Sequence, residues 1–245
     1  LFLKETGVLS EKLDEEITTE IKKHIQDSFD IAHAEDKIIP NVETELADMY
    51  APYTYEAVQQ QGEAREIRFI DAIQEGLKQS MENHDDLVIM GQDVAEYGGV
   101  FKVTEGFVEQ FGKGRVRNTP ICESAIVGAG LGLSISGMKA VVEMQFADFV
   151  TCGFNQIINN LAKMHWRWGQ NADVVVRMPT GANTAAGPFH SQSNEAWFTH
   201  TPGLKVVYPS TPEDAKGLLI AAINDPNPVL FFEHKYLYRS LKGDV

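Results

Sequence analysis

The chain has 245 residues, 43% of them hydrophobic, with a formal net charge of -14. That length is large for one domain and small for two, with apolar content enough for a substantial core. The acidic balance excludes nonspecific nucleic-acid binding and docking on anionic lipid, both of which need a Lys/Arg surplus. No apolar run reaches the roughly 18 residues of a membrane span, and no signal peptide is expected. The two cysteines, Cys122 and Cys152, make no disulfide framework, which fits a reducing, cytoplasmic compartment. The first residue is Leu1 rather than Met, so the chain reads as a processed or excised piece.

Residues 1 to 60 differ from the rest. From Ser10 to Ala34 the segment is charged, and Ile17, Ile21, Ile25 and Phe29 recur at four-residue spacing. That pattern predicts one amphipathic helix with Ser10 as its N-cap. Ile38 to Tyr55 carries Pro40 and Pro52 and reads as an extended connector with one short helix near Val42 to Met49. Gln59 to Glu63 reads as a linker. A single helix makes no core of its own, so this region is expected to pack on the rest of the chain or on a partner. The expected division is 1–60 and 61–245.

From Arg65 onward helices and strands alternate. Helices are expected over Arg65 to Asn83, Glu105 to Phe111, Glu123 to Ser136, Ala147 to Trp168, Glu195 to His200 and Pro212 to Asn224. Strands are expected at Leu87 to Met90, Ala140 to Glu143, Val174 to Arg177, Val206 to Val207 and Val229 to Phe232. The strands are short, continuous and β-branched, as in parallel sheets buried on both faces. The fold class is therefore α/β: a doubly wound, mostly parallel sheet with helices on both faces, preceded by a helical N-terminal extension. In such sheets ligands bind beyond the carboxyl ends of the strands. The loops there are Gln92 to Phe101, Arg117 to Glu123, Met144 to Phe149 and Met178 to His190. There is no GxGxxG or Walker A sequence. Gly128, Gly130 and Gly132 lie inside a helix, where small residues permit close packing.

The stretch from Thr119 to Gly130 runs from a strand-like segment through a proline turn into that glycine-dotted helix. Glu123 stands at its entrance, near the positive end of the dipole and among apolar neighbours. Two readings stand side by side. Glu123 either complements the dipole, as first-turn acids commonly do, or is a buried acid whose partner is a ligand.

Five ordered motifs resolve this. They are GQDVAEYGGVF (91–101), NTPICESAIVGAGLG (118–132), EMQFADF (143–149), FHSQSNEAWFTHTPGLKVVYPSTPEDAKGLL (189–219) and NPVLFFEHKYLYR (227–239). From Glu66 to Arg239 the sequence closely resembles the β subunit of the thiamin-diphosphate-dependent 2-oxo acid dehydrogenases. The matching part is the pyrimidine-binding domain of the transketolase-like fold. Residues 3 to 52 resemble the tail of the α subunit of the same enzymes, so 1–60 is expected to be an α-type tail with its linker.

The resemblance implies roles residue by residue. The glutamate matching Glu123 hydrogen-bonds the aminopyrimidine of thiamin diphosphate and biases its tautomer, so that a ring nitrogen can remove the thiazolium proton. Phe149 matches the aromatic residue stacked on that ring; read locally, it is equally a core aromatic. Gln145 and Ile121 match residues lining the same pocket, although a glutamine at that place also reads as a solvated loop residue. His190 matches an active-site histidine near substrate and the incoming lipoyl group, which implies proton transfer or carboxylate binding; without the motif it reads as structural. Gln92 departs from the family, which often has an acid there linking paired active sites; Asp93 and Glu96 are the acids within reach in sequence. Ala222, Ile223, Asp225 and Asn227 match a potassium site built largely from backbone carbonyls. The bland alternative there is a helix end followed by an Asp-Pro-Asn-Pro turn.

The implied reaction is oxidative decarboxylation of a 2-oxo acid with acyl transfer to lipoyl-lysine. FHSQSNEAWF leans toward branched-chain substrates. Pyruvate or acetoin dehydrogenase, a transketolase-type enzyme and a non-catalytic assembly subunit are the alternatives. Magnesium and the diphosphate are expected to belong to a missing α-type domain, which leaves this chain inactive alone. The implied partners are that α-type domain, a C-terminal β domain, a lipoyl-bearing acyltransferase and a second copy of the chain as a homodimer.

Overall fold

The computed structural model describes residues 1–55, 62–182 and 185–245. The expected linker Gln59 to Glu63 falls partly outside them, as does part of the loop Met178 to His190. Contacts divide the chain into Leu1–Val42 and Glu43–Val245.

The first unit holds α1 (Phe2–Glu5) and α2 (Glu11–Ala34). Ser10 caps α2 as its sequence suggested, its hydroxyl accepting from Leu13 N at 3.1 Å. Lys4 bridges Glu11 at 2.7 Å and Asp14 at 2.5 Å, tying the two helices together. Leu13, Ile17, Ile21, Ile25 and Phe29 form the expected stripe, and within this unit nothing covers it.

The second unit runs α3 (Val42–Ala47), β1 (Glu66–Arg68), α4 (Phe69–Asn83), β2 (Leu87–Gly91), α5 (Phe107–Phe111), β3 (Val116–Asn118), α6 (Glu123–Ile135) and β4 (Lys139–Glu143). After a 3-10 turn (Ala147–Gly153) and a π turn (Gln156–Leu161) come α7 (Met164–Trp168), β5 (Val174–Thr180) and a 3-10 turn (Glu195–Trp197). It ends with β6 (Lys205–Val207), α8 (Pro212–Asn224), β7 (Val229–His234), α9 (Leu237–Ser240) and β8 (Lys242–Asp244). The segment after α3 is fastened to the sheet: Ala51 N donates to Asn227 Oδ1 at 2.7 Å, and Tyr50 donates to Leu204 O at 3.3 Å.

Six of the described strands form a fully parallel sheet in the order β3-β2-β4-β5-β7-β6. Side chains alternate across it. Ile89, Val141, Val175 and Phe231 face Phe69, Ile73, Leu77, Leu219 and Ile223 of α4 and α8. Met90, Val142, Val176 and Phe232 face Ile126, Val127, Leu131, Ile157 and Leu161 on the other side. Every residue of β2 and β5 is buried, which explains their continuous apolar runs. The sheet is doubly wound, as expected.

Three expected elements are corrected, the helix over Glu195 to His200 being only a 3-10 turn of Glu195–Trp197. The helix over Arg65 to Asn83 begins only at Phe69, because Glu66–Arg68 pairs antiparallel with Lys242–Asp244. Asp71 then closes the helix start, its carboxylate taking Arg68 Nε at 2.7 Å and Arg68 N at 3.4 Å. The single helix over Ala147 to Trp168 is instead three short pieces, 3-10, π and α. Its first piece is pressed onto α6: a Cβ at Gly153 would lie 3.3 Å from Val127 Cγ2 and 3.4 Å from Glu123 O. Packing against a neighbouring helix has overridden the apolar periodicity of the segment.

Candidate active site

The chain leaves β2 outward to β3, then crosses back to β4 on the far side of β2. The carboxyl ends of β2 and β4 thus flank the point where strand order reverses, the place where doubly wound sheets bind ligands. Gln92 follows β2, and Met144, Gln145 and Phe146 follow β4.

Glu123 is the first residue of α6 and is buried. Its Oε1 accepts a hydrogen bond from Gln92 Nε2 at 3.1 Å. The helix lies close to the sheet because Gly130 has no side chain: a Cβ there would sit 2.8 Å from Val142 Cγ1. The carboxylate therefore stands at the positive end of a 13-residue helix, over the carboxyl edge of the sheet.

The 3-10 turn pressed against the first turn of α6 carries Phe149. Phe149, Phe146 and His190 form one aromatic cluster. The Phe146 ring centroid is 4.9 Å from His190, crossing at 89°, and 5.7 Å from Phe149; His190 and Phe149 are 5.4 Å apart. His190 Nδ1 is buried without a hydrogen-bond partner. The structure thus joins Glu123 to Gln92, and Phe149 to His190. Gln145 is half-buried and donates to Asp93 Oδ2 at 3.3 Å. Ile121 is 83% exposed. Of the two acids near Gln92, Asp93 receives Gln145, while Glu96 lies at the surface against Lys113 at 2.5 Å, which holds its carboxyl below the usual range.

Several residues here were not foreseen. Beneath the site Arg177 is fully buried between two carboxylates: Nε and Nη2 meet Glu233 at 2.7 Å each, and Nη1 meets Glu143 at 2.6 Å. Tyr238 donates to Glu233 at 2.6 Å. One guanidinium faces two acids, and burial raises the Glu143 carboxyl above its ordinary value, an effect the nearby Glu233 charge adds to and Arg177 opposes. Lys235, just past β7, is 5% exposed, and its Nζ lies 5.1 Å from the Phe146 ring centroid with no hydrogen-bond partner. Its apolar surroundings lower its pKa, against a pull from Asp148. Phe146 and Asp148 stood inside the EMQFADF motif, and Lys235 inside NPVLFFEHKYLYR. A charged residue at the end of an apolar strand was the available signal.

Asp225 and Asn227 are both buried. Asp225 Oδ1 accepts from Asn227 N at 2.9 Å and Nδ2 at 2.8 Å, and Oδ2 is paired with the Lys205 ammonium. The cation facing this carboxylate is thus a lysine, which a potassium ion would have to displace; Ala222 and Ile223 are buried in the last turns of α8. Among the described residues no three His, Cys, Asp or Glu side chains gather as a metal site.

Comparison with known proteins agrees with this architecture. Residues 65–240 match the model of the transketolase pyrimidine binding domain. The β subunit of 2-oxoisovalerate dehydrogenase from Bacillus subtilis (strain 168) is 51% identical over 73% of this chain and 55% of its own length. The mitochondrial β subunit 2 of 2-oxoisovalerate dehydrogenase from Arabidopsis thaliana is 45% identical over 78% of this chain and 54% of its own. The β subunit of the pyruvate dehydrogenase E1 component from Acholeplasma laidlawii is 45% identical over 73% and 55%. The chain thus spans about half the length of these relatives. A solved structure described as a split gene transketolase, an inactive β4 tetramer, superposes with a TM-score of 0.56 over 68% of this chain and 50% of that one, at 20% identity, and shares the fold. With residues 65–240 matched by the domain model, the chain belongs to the family of the transketolase pyrimidine-binding domain, and over 73% of its length it is 51% identical to a 2-oxoisovalerate dehydrogenase β subunit.

Proposed function

We propose that this chain supplies the aminopyrimidine half of a thiamin-diphosphate site in an enzyme that oxidatively decarboxylates a 2-oxo acid. The observation that carries the reading is Glu123: a buried carboxylate at the start of α6, beyond the sheet where strand order reverses. When bound, thiamin diphosphate supplies the nucleophilic carbon and the electron sink for decarboxylation. The residues of this chain do the rest. Glu123 would accept a hydrogen bond from the ring nitrogen and bias its tautomer. Gln92 holds the other side of that carboxylate in place. Phe149 presents an aromatic wall whose neighbours Phe146 and His190 limit its tilt. His190 offers a buried Nδ1 that has no hydrogen-bond partner among the described residues, and it is assigned proton transfer to substrate or to the lipoyl acceptor.

The diphosphate, with its magnesium, is assigned to an α-type region outside this chain. The acyl acceptor is assigned to the lipoyl-lysine of a separate acyltransferase. A branched-chain 2-oxo acid is the preferred substrate, on the 51% identity to a 2-oxoisovalerate dehydrogenase β subunit against 45% to a pyruvate dehydrogenase one. The test is Glu123→Gln in the complete enzyme, assayed with saturating cofactor on 3-methyl-2-oxobutanoate and on pyruvate. Glutamine keeps the shape and the contact to Gln92 but loses the carboxylate. Activity should fall by at least about a hundredfold, the scale of a lost general acid–base group. Activity within twofold of the parent sinks the assignment, and a parent preference for pyruvate sinks the substrate class alone.

A further inference from the structure

Lys235 is a buried charge that the reading above leaves unused. It follows β7, and its backbone N donates to Thr180 O at 3.0 Å, which fixes it across the ends of β5 and β7. The side chain is 5% exposed and its ammonium has no hydrogen-bond partner among the described residues. A lone ammonium in a protein interior costs several kcal/mol unless an anion or hydrogen-bond acceptors meet it. The face of Phe146, 5.1 Å away, offers only a weak attraction. Asp148 is the acid that acts on it electrostatically, yet the two form no ion pair; Asp148 spends one oxygen on Gln192 N at 3.0 Å.

The direction of the ammonium matters. Phe146 is the wall that Lys235 shares with His190 and Phe149. On that wall the chain therefore sets two hydrogen-bonding groups without partners, Lys235 Nζ and His190 Nδ1, beside an aromatic residue. Arg177, the other buried cation of the site, is fully spent on Glu143 and Glu233. Lys235 is thus a cation with hydrogen bonds to give. A small acid with an adjacent polar carbonyl and an apolar tail matches these partners: carboxylate to ammonium, carbonyl side to imidazole, tail to Phe146 and Phe149.

We propose that Lys235 is a substrate-recognition residue whose ammonium binds the carboxylate of the 2-oxo acid. This rests on the reading of the site given above. The ammonium supplies charge and hydrogen bonds to a group present in the acid and absent from the corresponding aldehyde. Burial makes each such bond stronger than at a wet surface. Lys235 then selects for the substrate and has no part in holding the cofactor.

The test uses the complete enzyme with its cofactor and a lipoyl or artificial electron acceptor. The variants are Lys235→Met, which keeps the stem and removes the charge, and Lys235→Arg, which keeps the charge; Lys235→Gln substitutes if the methionine protein does not fold. KM for 3-methyl-2-oxobutanoate should rise about tenfold or more in Lys235→Met, the size of a lost hydrogen bond to a charged group. Half-saturation by thiamin diphosphate should stay within twofold, and Lys235→Arg should recover part of the loss. Inhibition by a non-reacting carboxylate analogue of the substrate should weaken in parallel with KM. An unchanged KM overturns the proposal, and so does a loss shared equally by substrate and cofactor. Glu123→Gln measured alongside separates the two ideas: if it is inactive while Lys235→Met is normal, only the role of Lys235 fails; if it is active, the site assignment fails.

Discussion

Gln92 Nε2 donates to Glu123 Oε1 at 3.1 Å, joining the end of β2 to the first turn of α6. A neutral amide, not an acid, holds the carboxylate on which the proposed chemistry turns. The family that the sequence resembles often has an acid at this position, in a chain of acids linking paired active sites. Here that link is an amide that donates, and Asp93 and Glu96 are both exposed.

Gln92→Leu should leave that carboxylate oxygen buried without its donor. Removing one partner of a buried hydrogen bond to a charged group costs about 1–3 kcal/mol. Urea denaturation should show a lower midpoint with an unchanged slope. A midpoint equal to the parent's would mean that water replaces the amide at no cost.

The Arg177 cluster predicts a pH dependence. Burial raises Glu143 above its unfolded value, so the folded state binds a proton that the unfolded state releases. Its contribution to stability is therefore complete below the unfolded value of 4.5 and is lost as pH rises through the higher folded value. Glu143→Gln should flatten the stability profile on the alkaline side of 4.5, because the amide stays neutral throughout. Chemical denaturation at a series of pH values reads this directly. A variant profile parallel to the parent's would mean that Glu143 is ionised in the fold.

Gly130→Ala places a Cβ 2.8 Å from Val142 Cγ1 and 3.4 Å from Val174 Cγ1. Neither branched side chain can swing away within a closed core. The cost should be about 1–3 kcal/mol, typical of overpacking. Because Glu123 rides on the same helix, cofactor half-saturation in the complete enzyme should worsen as well. Thermal denaturation and cofactor titration check the two parts separately.

The homodimer expectation came with the family resemblance, and the segment Ala147 to Trp168, expected as one helix, is three pieces. Ile157 and Leu161 are buried against the sheet, whereas Trp166 and Trp168 at its end are 51% and 69% exposed. Those tryptophans are the better candidates for a contact between copies. Sedimentation equilibrium at micromolar concentration should show mass above 27.2 kDa, falling toward it in Trp168→Ser. A single 27.2 kDa species at every concentration rules self-association out.

Cofactor binding by the isolated chain should be weak. The pyrimidine contacts are here, while no described cluster of acids can hold the magnesium that accompanies a diphosphate. Calorimetry with thiamin diphosphate and magnesium should give no micromolar isotherm. A tight, magnesium-dependent one would place a diphosphate site within this chain.

Much of the fold was legible because its signals are local. The continuous apolar runs in β2, β4, β5 and β7 announce strands buried on both faces, and Ser10 announces a helix start, its hydroxyl accepting a backbone N–H. What stayed hidden depends on residues distant in sequence. Glu66–Arg68 has no strand signature of its own and is extended only because Lys242–Asp244 lies beside it. The Ala147 to Trp168 segment has helical periodicity, but its path is bent by α6. At the site, the motifs marked Glu123, Phe149 and His190, while Lys235 and Phe146 drew no notice, since a lysine and a phenylalanine in strand-end loops look ordinary until burial and contact are known.

The antiparallel seam of β1 and β8 has a mechanical consequence. Arg65 and Val245 exchange backbone hydrogen bonds at 3.2 and 3.1 Å, so this seam holds the entry to β1 beside the exit from β8. Tension applied between Arg65 and Val245 loads the seam at its open end and peels it one residue pair at a time, without shearing the six parallel strands behind it.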